Sequence, residues 1–258
     1  MNATGRLRIL LRFGRRCETE RRLDADHRPR AILRQMQQAG VGGQSGTRGA
    51  GSRRGRLFVI SAPSGAGKTS LVRALLARDQ ALRLSISHTT RKPRPNEVEG
   101  REYFFVSLAE FEALVDRGAF LEHARVFDNR YGTSRETVER LLAAGTDVVL
   151  EIDWQGARQV RAALPESVTI FLLPPSRRAL EERLTQRQTD SAEVIARRLR
   201  DAVGDMGHFN EFDYVVVNDR FERAVEELAS ILAGHGNALR SSRASLRPLI
   251  AELLGDTG

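Results

Sequence analysis

The sequence predicts an α/β fold in which a parallel sheet is covered by helices on both faces. Near-continuous apolar segments recur from residue 56 onward, each is followed by a segment with helical periodicity, and no internal repeat interrupts this alternation. Strands that are apolar on both faces are buried on both faces, and helical connections between them make neighbouring strands parallel. These three observations together favour a doubly covered parallel sheet.

The strands and helices can be assigned in chain order. The first predicted strand, Leu57–Ile60, leads through a glycine-rich turn into a helix that opens at Lys68 and runs through Leu76. The later predicted strands are Val148–Asp153, Val168–Leu173 and Tyr214–Asn218. Each precedes a pattern with helical spacing, respectively at Gln155–Ala163, Ser176–Arg187 and Asp219–Leu232.

Two segments break this alternation. Residues 84–134 are polar, with short alternating stretches and several turn signals, so we expect an inserted subdomain of antiparallel strands with one helix, Leu108–Arg117. Residues 187–207 carry a cluster of arginines around a helix that starts near Asp190, with Thr189 or Asp190 as its N-cap. A basic helical segment between two core strands suggests a lid over phosphates. The core is then expected at residues 56–83, 135–186 and 208–258.

The basic character of the chain is confined to residues 1–55. They hold 13 arginines and four acidic residues, a net charge of +9, whereas residues 56–258 hold 28 basic and 29 acidic residues. A segment rich first in Arg and then in Gly does not build a core, so we expect a basic, disordered extension without a function of its own. A targeting segment and an RNA-binding arm are the alternatives.

Cysteine and hydropathy exclude several classes of protein. Cys17 is the only cysteine, so disulfide frameworks and thiolate metal sites within one chain are excluded. No apolar run approaches membrane-spanning length. We therefore expect a cytoplasmic protein with no membrane partner, and no nucleic-acid partner for its near-neutral globular part.

The turn after the first predicted strand is the most informative segment of the chain. Its sequence SAPSGAGKTS is close to the pattern GxxxxGK[ST], with Ala62 in place of the first Gly. Such a turn points backbone N–H groups at one place, and the helix N-terminus adds a partial positive charge. We predict a nucleoside triphosphate site here, with Lys68 at the β and γ phosphates and the Thr69 hydroxyl helping to hold Mg2+. The residues assigned to it are Ala62, Pro63, Ser64, Gly65, Ala66, Gly67, Lys68, Thr69 and Ser70.

The use of lysine supports this prediction. The chain has 39 arginines and only two lysines, Lys68 and Lys92. In a chain that uses Arg almost everywhere, a lysine in a phosphate loop indicates a specific role for that side chain. A compact ammonium group fits where a planar guanidinium would not.

A second group of residues suits the recognition of a purine nucleotide. Arg91 and Arg94 lie three apart in a Pro-stiffened segment, which suits a forked grip on a phosphate. Tyr103 and Tyr131 offer hydroxyl donors. Glu122 lies in an otherwise apolar stretch, where its carboxylate would accept two N–H groups from a guanine edge. Adenine lacks that pair of donors and would leave the carboxylate unpaired.

From Arg56 to about Ala251, the chain resembles the guanylate kinases. The matching segments are Ser61–Ser70, Ser87–Arg94, Glu99–Tyr103, Phe120–Glu122, Tyr131–Thr133, Glu151–Gly156 and Asp213–Asn218. The resemblance itself extends over nearly the whole chain after residue 55. The resemblance implies a P-loop nucleoside monophosphate kinase fold, with a GMP-binding insert at residues 84–134 and a helical lid at residues 187–207.

The resemblance also implies a role for single residues. Those implied for the GMP phosphate are Arg91, Arg94, Tyr103 and Tyr131, and those implied for guanine are Ser87, Glu122 and Thr133. Asp153 is implied near GMP, the phosphates and Mg2+, which it would reach through water. Asn218 is implied near the adenine of ATP, while Glu151 replaces an Asp of some members. The implied catalytic residues are Lys68 and the lid arginines Arg187 and Arg198.

The implied reaction is transfer of the γ-phosphoryl group of ATP to GMP, with Mg2+ as cofactor. Two alternatives share the fold: a phosphokinase of phosphorylated ribose, and a non-catalytic binding module such as those of scaffold proteins. Glu122 with the two tyrosines favours GMP, and Lys68, Thr69 and the lid arginines favour an enzyme. The expected partners are ATP and GMP, and the sequence leaves the oligomeric state open, a homo-oligomer included.

Overall fold

The computed structural model describes residues 53–126, 128–185 and 192–255. These residues belong to one unit of the chain, Gly46–Gly258. Nearly all of the predicted basic extension, together with Arg187 and both candidate N-caps of the lid helix, lies outside the described residues. Among the residues described, no helix is long and apolar enough to cross a membrane.

The larger sheet is parallel throughout the described residues, as the sequence predicts. Its five strands lie in the order β2-β7-β1-β8-β9, and every neighbouring pair is parallel. They are β1 Leu57–Ser61, β2 Arg83–Leu84, β7 Val148–Glu151, β8 Val168–Leu173 and β9 Tyr214–Val217. The central position of β1 places the loop that follows it at the middle of the sheet's carboxyl edge.

Helices cover both faces of this sheet. The helices are α1 Lys68–Arg78, α3 Arg135–Ala143, α4 Trp154–Ala163, α5 Arg177–Thr185, α6 Ala192–Met206, α7 Phe221–Leu232 and α8 Arg247–Leu254. Alternate residues of β1 pack on opposite faces of the sheet. Phe58 and Ile60 pack with α1 and α7, whereas Leu57 and Val59 belong to the apolar cluster that contains the other helices. The two-sided burial that the strand sequences predict is therefore confirmed.

A smaller sheet forms from the segment between β2 and α3. Its described strands lie in the order β4-β3-β6-β5, with bounds β3 His88–Thr89, β4 Phe104–Phe105, β5 Phe120–Val126 and β6 Asn129–Ser134. Helix α2, Leu108–Asp116, starts at a capping box of Ser107 and Glu110. The expectation of antiparallel strands is right for β3–β6 and β5–β6 but wrong for β3–β4, which pair in parallel. A long connection between β3 and β4 allows that arrangement.

The predicted strand Val148–Asp153 ends two residues early because its last residue starts a helix. Asp153 is the N-cap of α4, and its Oδ1 accepts a hydrogen bond of 2.8 Å from the backbone N–H of Gly156. An N-cap has extended backbone outside the helix and satisfies one of the first free N–H groups. The strand therefore ends at Glu151, and Asp153 is fixed at the carboxyl edge of the sheet.

Candidate active site

The turn between β1 and α1 has the backbone of an anion-binding loop. Gly65 and Gly67 adopt left-handed conformations, with φ of +87° and +93°, which disfavour a side chain. Gly67 is the N-cap of α1, so the first N–H groups of the helix face the space above the loop. The side-chain amide of Asn218 donates a hydrogen bond of 2.8 Å to the Ala66 carbonyl and holds the loop from below.

The loop lines a cleft of about 270 Å³ that extends from the edge of the larger sheet to the smaller sheet. The cleft also collects predicted residues from distant parts of the chain, namely Ser87, Tyr103, Glu122, Tyr131 and Asp153. In the described structure, other predicted residues lie outside its lining: Ala66, Arg91, Arg94, Thr133, Asn218 and Arg198. Arg187 is not among the residues described.

Two side chains of α1 reach the end of β7. The Lys68 ammonium donates a hydrogen bond of 2.9 Å to the Ile152 carbonyl, and the Thr69 hydroxyl donates to the Glu151 carboxylate. A hydroxyl beside carboxylates is a set of hard oxygen donors, which suits Mg2+. No group of three or more acidic, His or Cys side chains in the described part of the chain could hold a metal alone.

Glu122 is a buried carboxylate at the far side of the cleft. Only 2% of the residue is exposed, and its Oε1 accepts a hydrogen bond of 2.5 Å from the Thr133 hydroxyl. The Ser87 hydroxyl lies 3.4 Å from that of Thr133. Burial raises the pKa of Glu122 to about 7, the Asp153 carboxylate adds to the rise, and the Thr133 hydroxyl opposes it. The three residues implied for guanine therefore form one connected group.

Asp153 lies between this group and the phosphate loop. Burial raises the pKa of its carboxyl, while the N–H of Gly156 and the charge of Lys68 oppose the rise. The Glu122 carboxylate approaches the same turn of α4 from the other side. The two halves of the cleft thus meet at the start of one helix.

The predicted phosphate grip contains a partner that the sequence analysis missed. The two terminal nitrogens of Arg91 each donate a 2.9 Å hydrogen bond to the Glu97 carboxylate, and Arg91 also stacks over the Tyr103 ring at 5.2 Å. The bond from Arg91 lowers the pKa of Glu97. The Arg94 backbone N–H donates to the same carboxylate at 2.7 Å. Glu97 thus fixes the loop that carries both arginines, a role that its place in a charged stretch of sequence did not indicate.

Two further residues near the phosphate side were also missed. Asp205, in the last turn of α6, lines the cleft and accepts a 3.1 Å hydrogen bond from the Trp154 indole. Burial raises its pKa to about 6, and Asp153 adds to the rise. Arg183 of α5 donates a 2.9 Å hydrogen bond to the Asn218 carbonyl, while its other terminal nitrogen is buried without a partner among the described residues. The place of Arg183 four residues before Arg187 in the sequence could have indicated it.

A phosphate loop on a parallel sheet, with an inserted small sheet that brings a buried carboxylate to the same cleft, defines the class of P-loop nucleoside monophosphate kinases. The family model for guanylate kinase matches residues 54–235. The chain belongs to the guanylate kinase family.

Named relatives agree with this assignment. The guanylate kinase of Chromohalobacter salexigens is 56% identical over 201 residues, which cover 78% of this chain and 94% of that protein. The guanylate kinase of Shewanella denitrificans is 50% identical over 206 residues, which cover 80% of this chain and 100% of that protein. The crystal structure of guanylate kinase from Anaplasma phagocytophilum matches with a TM-score of 0.59 and 32% identity, covering 77% of this chain and 95% of that one.

Proposed function

We propose that the chain transfers the γ-phosphoryl group of ATP to GMP, giving ADP and GDP. The observation that carries this proposal is the shared cleft, which Lys68 of the phosphate loop and the buried carboxylate of Glu122 both line. One side suits a triphosphate, and the other suits a base with two adjacent N–H donors. Membership of the guanylate kinase family supports the same reaction.

On the donor side, the backbone of residues 62–70 would bind the β and γ phosphates of ATP. The left-handed backbone at Gly65 and Gly67 points N–H groups into the loop, and the start of α1 adds partial positive charge. The Lys68 ammonium would exchange the Ile152 carbonyl for phosphate oxygens. Asn218 supports this loop through Ala66, in addition to its proposed place near the adenine.

On the acceptor side, Glu122 would accept the ring N–H and an exocyclic N–H of guanine. Ser87 and Thr133 would bind the same base through their hydroxyls, since both are linked to Glu122 in this structure. Adenine presents no such pair of donors. It would leave a buried carboxylate unpaired, at a cost of about 1–3 kcal/mol or more.

The GMP phosphate would be held by four residues and aligned with the donor. They are Arg91, Arg94, Tyr103 and Tyr131. Glu97 fixes the guanidinium of Arg91, and the ring of Tyr103 supports it from one face. A positioned pair of arginines would offset the repulsion between two anionic substrates.

The chemistry we propose is in-line attack of a GMP phosphate oxygen on the γ-phosphorus of ATP. That oxygen is already anionic near neutral pH, so no strong general base is required, and catalysis consists of alignment and charge stabilisation. Lys68 and the lid arginines Arg187 and Arg198 would stabilise charge on the transferring group. Closure of the lid would exclude water and prevent hydrolysis of ATP.

Mg2+ would supply further charge stabilisation at the phosphates when bound. We propose that the Thr69 hydroxyl contacts it and that Asp153 reaches it through water. Glu151, which accepts a hydrogen bond from Thr69, would orient that hydroxyl. These residues provide oxygen ligands of the kind that Mg2+ prefers.

We also propose how the chain is organised and where it is located. The core comprises residues 56–83, 135–186 and 208–258, the acceptor insert residues 84–134 and the lid residues 187–207. The proposed location is the cytoplasm, because its reducing conditions suit a chain with one cysteine.

The test is a coupled assay of ADP release with ATP and each of AMP, GMP, CMP, UMP and a ribose bisphosphate. We expect turnover with GMP, with GDP identified by chromatography, and little with the other acceptors. Glu122→Gln should weaken GMP far more than ATP, because the amide presents a donor where guanine also has one. Turnover without preference for GMP, or equal loss of both nucleotides in the variant, would refute the proposal.

A further inference from the structure

Gly156, in the first turn of α4, lies directly against the carboxylate of Glu122. We infer that Gly156 is a positioning residue for guanine selection. A side chain at this position would occupy the space of the Glu122 carboxylate and displace it from the position in which it would bind the base. This inference rests on the proposed function and assigns part of its specificity to a residue with no side chain of its own.

The backbone conformation does not explain the glycine. Gly156 is the third residue of a helix, and its φ is not in the left-handed region where glycine is favoured. Within a helix, glycine is less favourable than alanine by about 1 kcal/mol. Any residue with high helix propensity would suit the local structure better, so a contact outside the helix must require the small residue.

That contact is with Glu122. A Cβ atom at position 156 would lie 2.4 Å from Oε2 and 3.1 Å from Cδ of Glu122, and 3.3 Å from Oδ1 of Asp153. The first distance is far below van der Waals contact, so the carboxylate would have to move. The N–H of Gly156, which donates to Asp153 at 2.8 Å, would remain in alanine. Alanine therefore changes the space beside Glu122 and leaves the helix cap in place.

The surrounding structure limits how the clash can be relieved. Gln159 of α4 donates to the His123 carbonyl at 2.8 Å and accepts from the His123 N–H at 3.0 Å, which holds β5 next to α4. Backbone separation is therefore restricted, whereas the end of the Glu122 side chain can rotate. Rotation would draw Oε1 away from the Thr133 hydroxyl and displace both oxygens from the base. The cost should thus fall on GMP recognition more than on folding.

The test compares Gly156→Ala with Ala162→Ser. Ala162 is an exposed residue of the same helix, so serine there adds one atom that faces solvent. For Gly156→Ala we expect the KM for GMP to rise about tenfold or more, as for a misaligned hydrogen bond to a charged group, with the KM for ATP within about twofold. The preference for GMP over AMP should fall in parallel. Ala162→Ser should change neither KM nor the preference.

A double-mutant cycle separates the space beside Glu122 from a general structural effect. Glu122→Asp shortens the side chain by one methylene and removes most of the clash. Adding Gly156→Ala to Glu122→Asp should therefore raise the KM for GMP by much less than it does in the wild type. If the two effects are additive instead, the inference is wrong.

Thermal melting shows whether Gly156→Ala folds, and a second variant tests the inference if it does not. Adding Glu122→Ala should then restore folding, because the clashing carboxylate is gone; an unfolded double variant would overturn the inference. A folded Gly156→Ala protein with wild-type KM for GMP would overturn it as well, while leaving the proposed function intact. Failure of the wild-type chain to phosphorylate GMP would instead refute the proposed function.

Discussion

The side-chain amide of Asn218, just after β9, donates a hydrogen bond of 2.8 Å to the backbone carbonyl of Ala66 in the phosphate loop. A Cβ atom on Gly67 would lie 2.5 Å from the same amide nitrogen. Asn218 therefore fills the space under the left-handed turn and fixes its carbonyl. The loop that would bind ATP depends on a residue about 150 positions later in the chain.

Replacing this amide should loosen the loop. In Asn218→Asp, an oxygen would face the Ala66 carbonyl, and the lost hydrogen bond should cost about 1–3 kcal/mol. We expect the KM for ATP to rise roughly tenfold or more, with a smaller change for GMP, in steady-state assays. Asn210→Asp, at an exposed asparagine, is the matched control. A variant with wild-type KM for ATP would argue against a supporting role for Asn218.

Removal of the Lys68 ammonium should reduce turnover and spare the fold. In Lys68→Met the loop loses its side-chain cation, and kcat should fall about 100-fold or more, as for loss of one preorganised charge donor. Lys92→Met, at the chain's other lysine, is the control, because Lys92 is exposed and outside the cleft. Thermal melting should show both variants folded. Equal kcat values for them would remove Lys68 from the proposed mechanism.

Binding of GMP should weaken as the pH falls below about 7. The pKa of Glu122 is about 7, and only the ionised carboxylate can accept both N–H groups of guanine. Between pH 8 and pH 6 the KM for GMP should therefore rise about tenfold. The phosphate of GMP also titrates in this range, so Glu122→Gln provides the baseline. If both proteins show the same pH profile, Glu122 is not the group responsible.

Thr133 should determine the pH below which the KM for GMP rises. Its hydroxyl lowers the pKa of Glu122, so Thr133→Val should raise that pKa and shift the rise in KM to higher pH. At pH 7 the KM for GMP should rise several-fold, as for the loss of one hydrogen bond of about 1–2 kcal/mol. Thr133→Ser keeps the hydroxyl and should behave like the wild type. If the KM for GMP depends on pH in Thr133→Val as it does in the wild type, this assignment is wrong.

His88 should make the small sheet sensitive to acid. It is 1% exposed, lies between Phe104 and Phe120, and neither ring nitrogen has a hydrogen-bond partner within the described structure. Burial lowers its pKa to about 4, an effect that the backbone of Gly132 opposes only in part.

As the pH falls, His88 therefore binds a proton near pH 6.5 in the unfolded chain but only near pH 4 in the folded chain. The stability that neutral His88 contributes is present above pH 6.5 and is lost as the pH falls through this window. Between pH 7 and pH 5 the loss should be about 2 kcal/mol. In His88→Leu, the free energy of unfolding from urea denaturation should depend less on pH. His235→Leu, at an exposed histidine, should keep the wild-type slope.

The sequence predicted the larger sheet well because its long strands are mostly apolar. Strand β8 was predicted with its observed ends, since Pro174 and Pro175 follow it. Strand β2 was missed because two residues carry no periodicity. Helices α3 and α8 follow no apolar strand, so the alternating pattern did not reveal them.

The sequence indicated candidate site residues where short motifs or unusual surroundings mark them. The phosphate loop and Glu122 could be recognised because their spacing or apolar surroundings were unusual. Asp205 and Glu97 could not, because a carboxylate in a charged stretch of sequence resembles any solvated surface residue. Only the tertiary structure places Asp205 in the cleft, and only the loop geometry turns Glu97 toward Arg91.

The reciprocal bonds between Gln159 and His123 bear on attempts to redesign this family. The acceptor insert is continuous in sequence and has its own apolar cluster around Phe111, which invites its exchange between relatives as a cassette. The carboxylate of Glu122, which we propose binds the base, however, rests against a helix encoded outside that cassette. A chimera that receives the insert alone should have the base-binding residues of one relative packed against the α4 of another. Functional chimeras should therefore need the first two turns of α4 from the same relative as the insert.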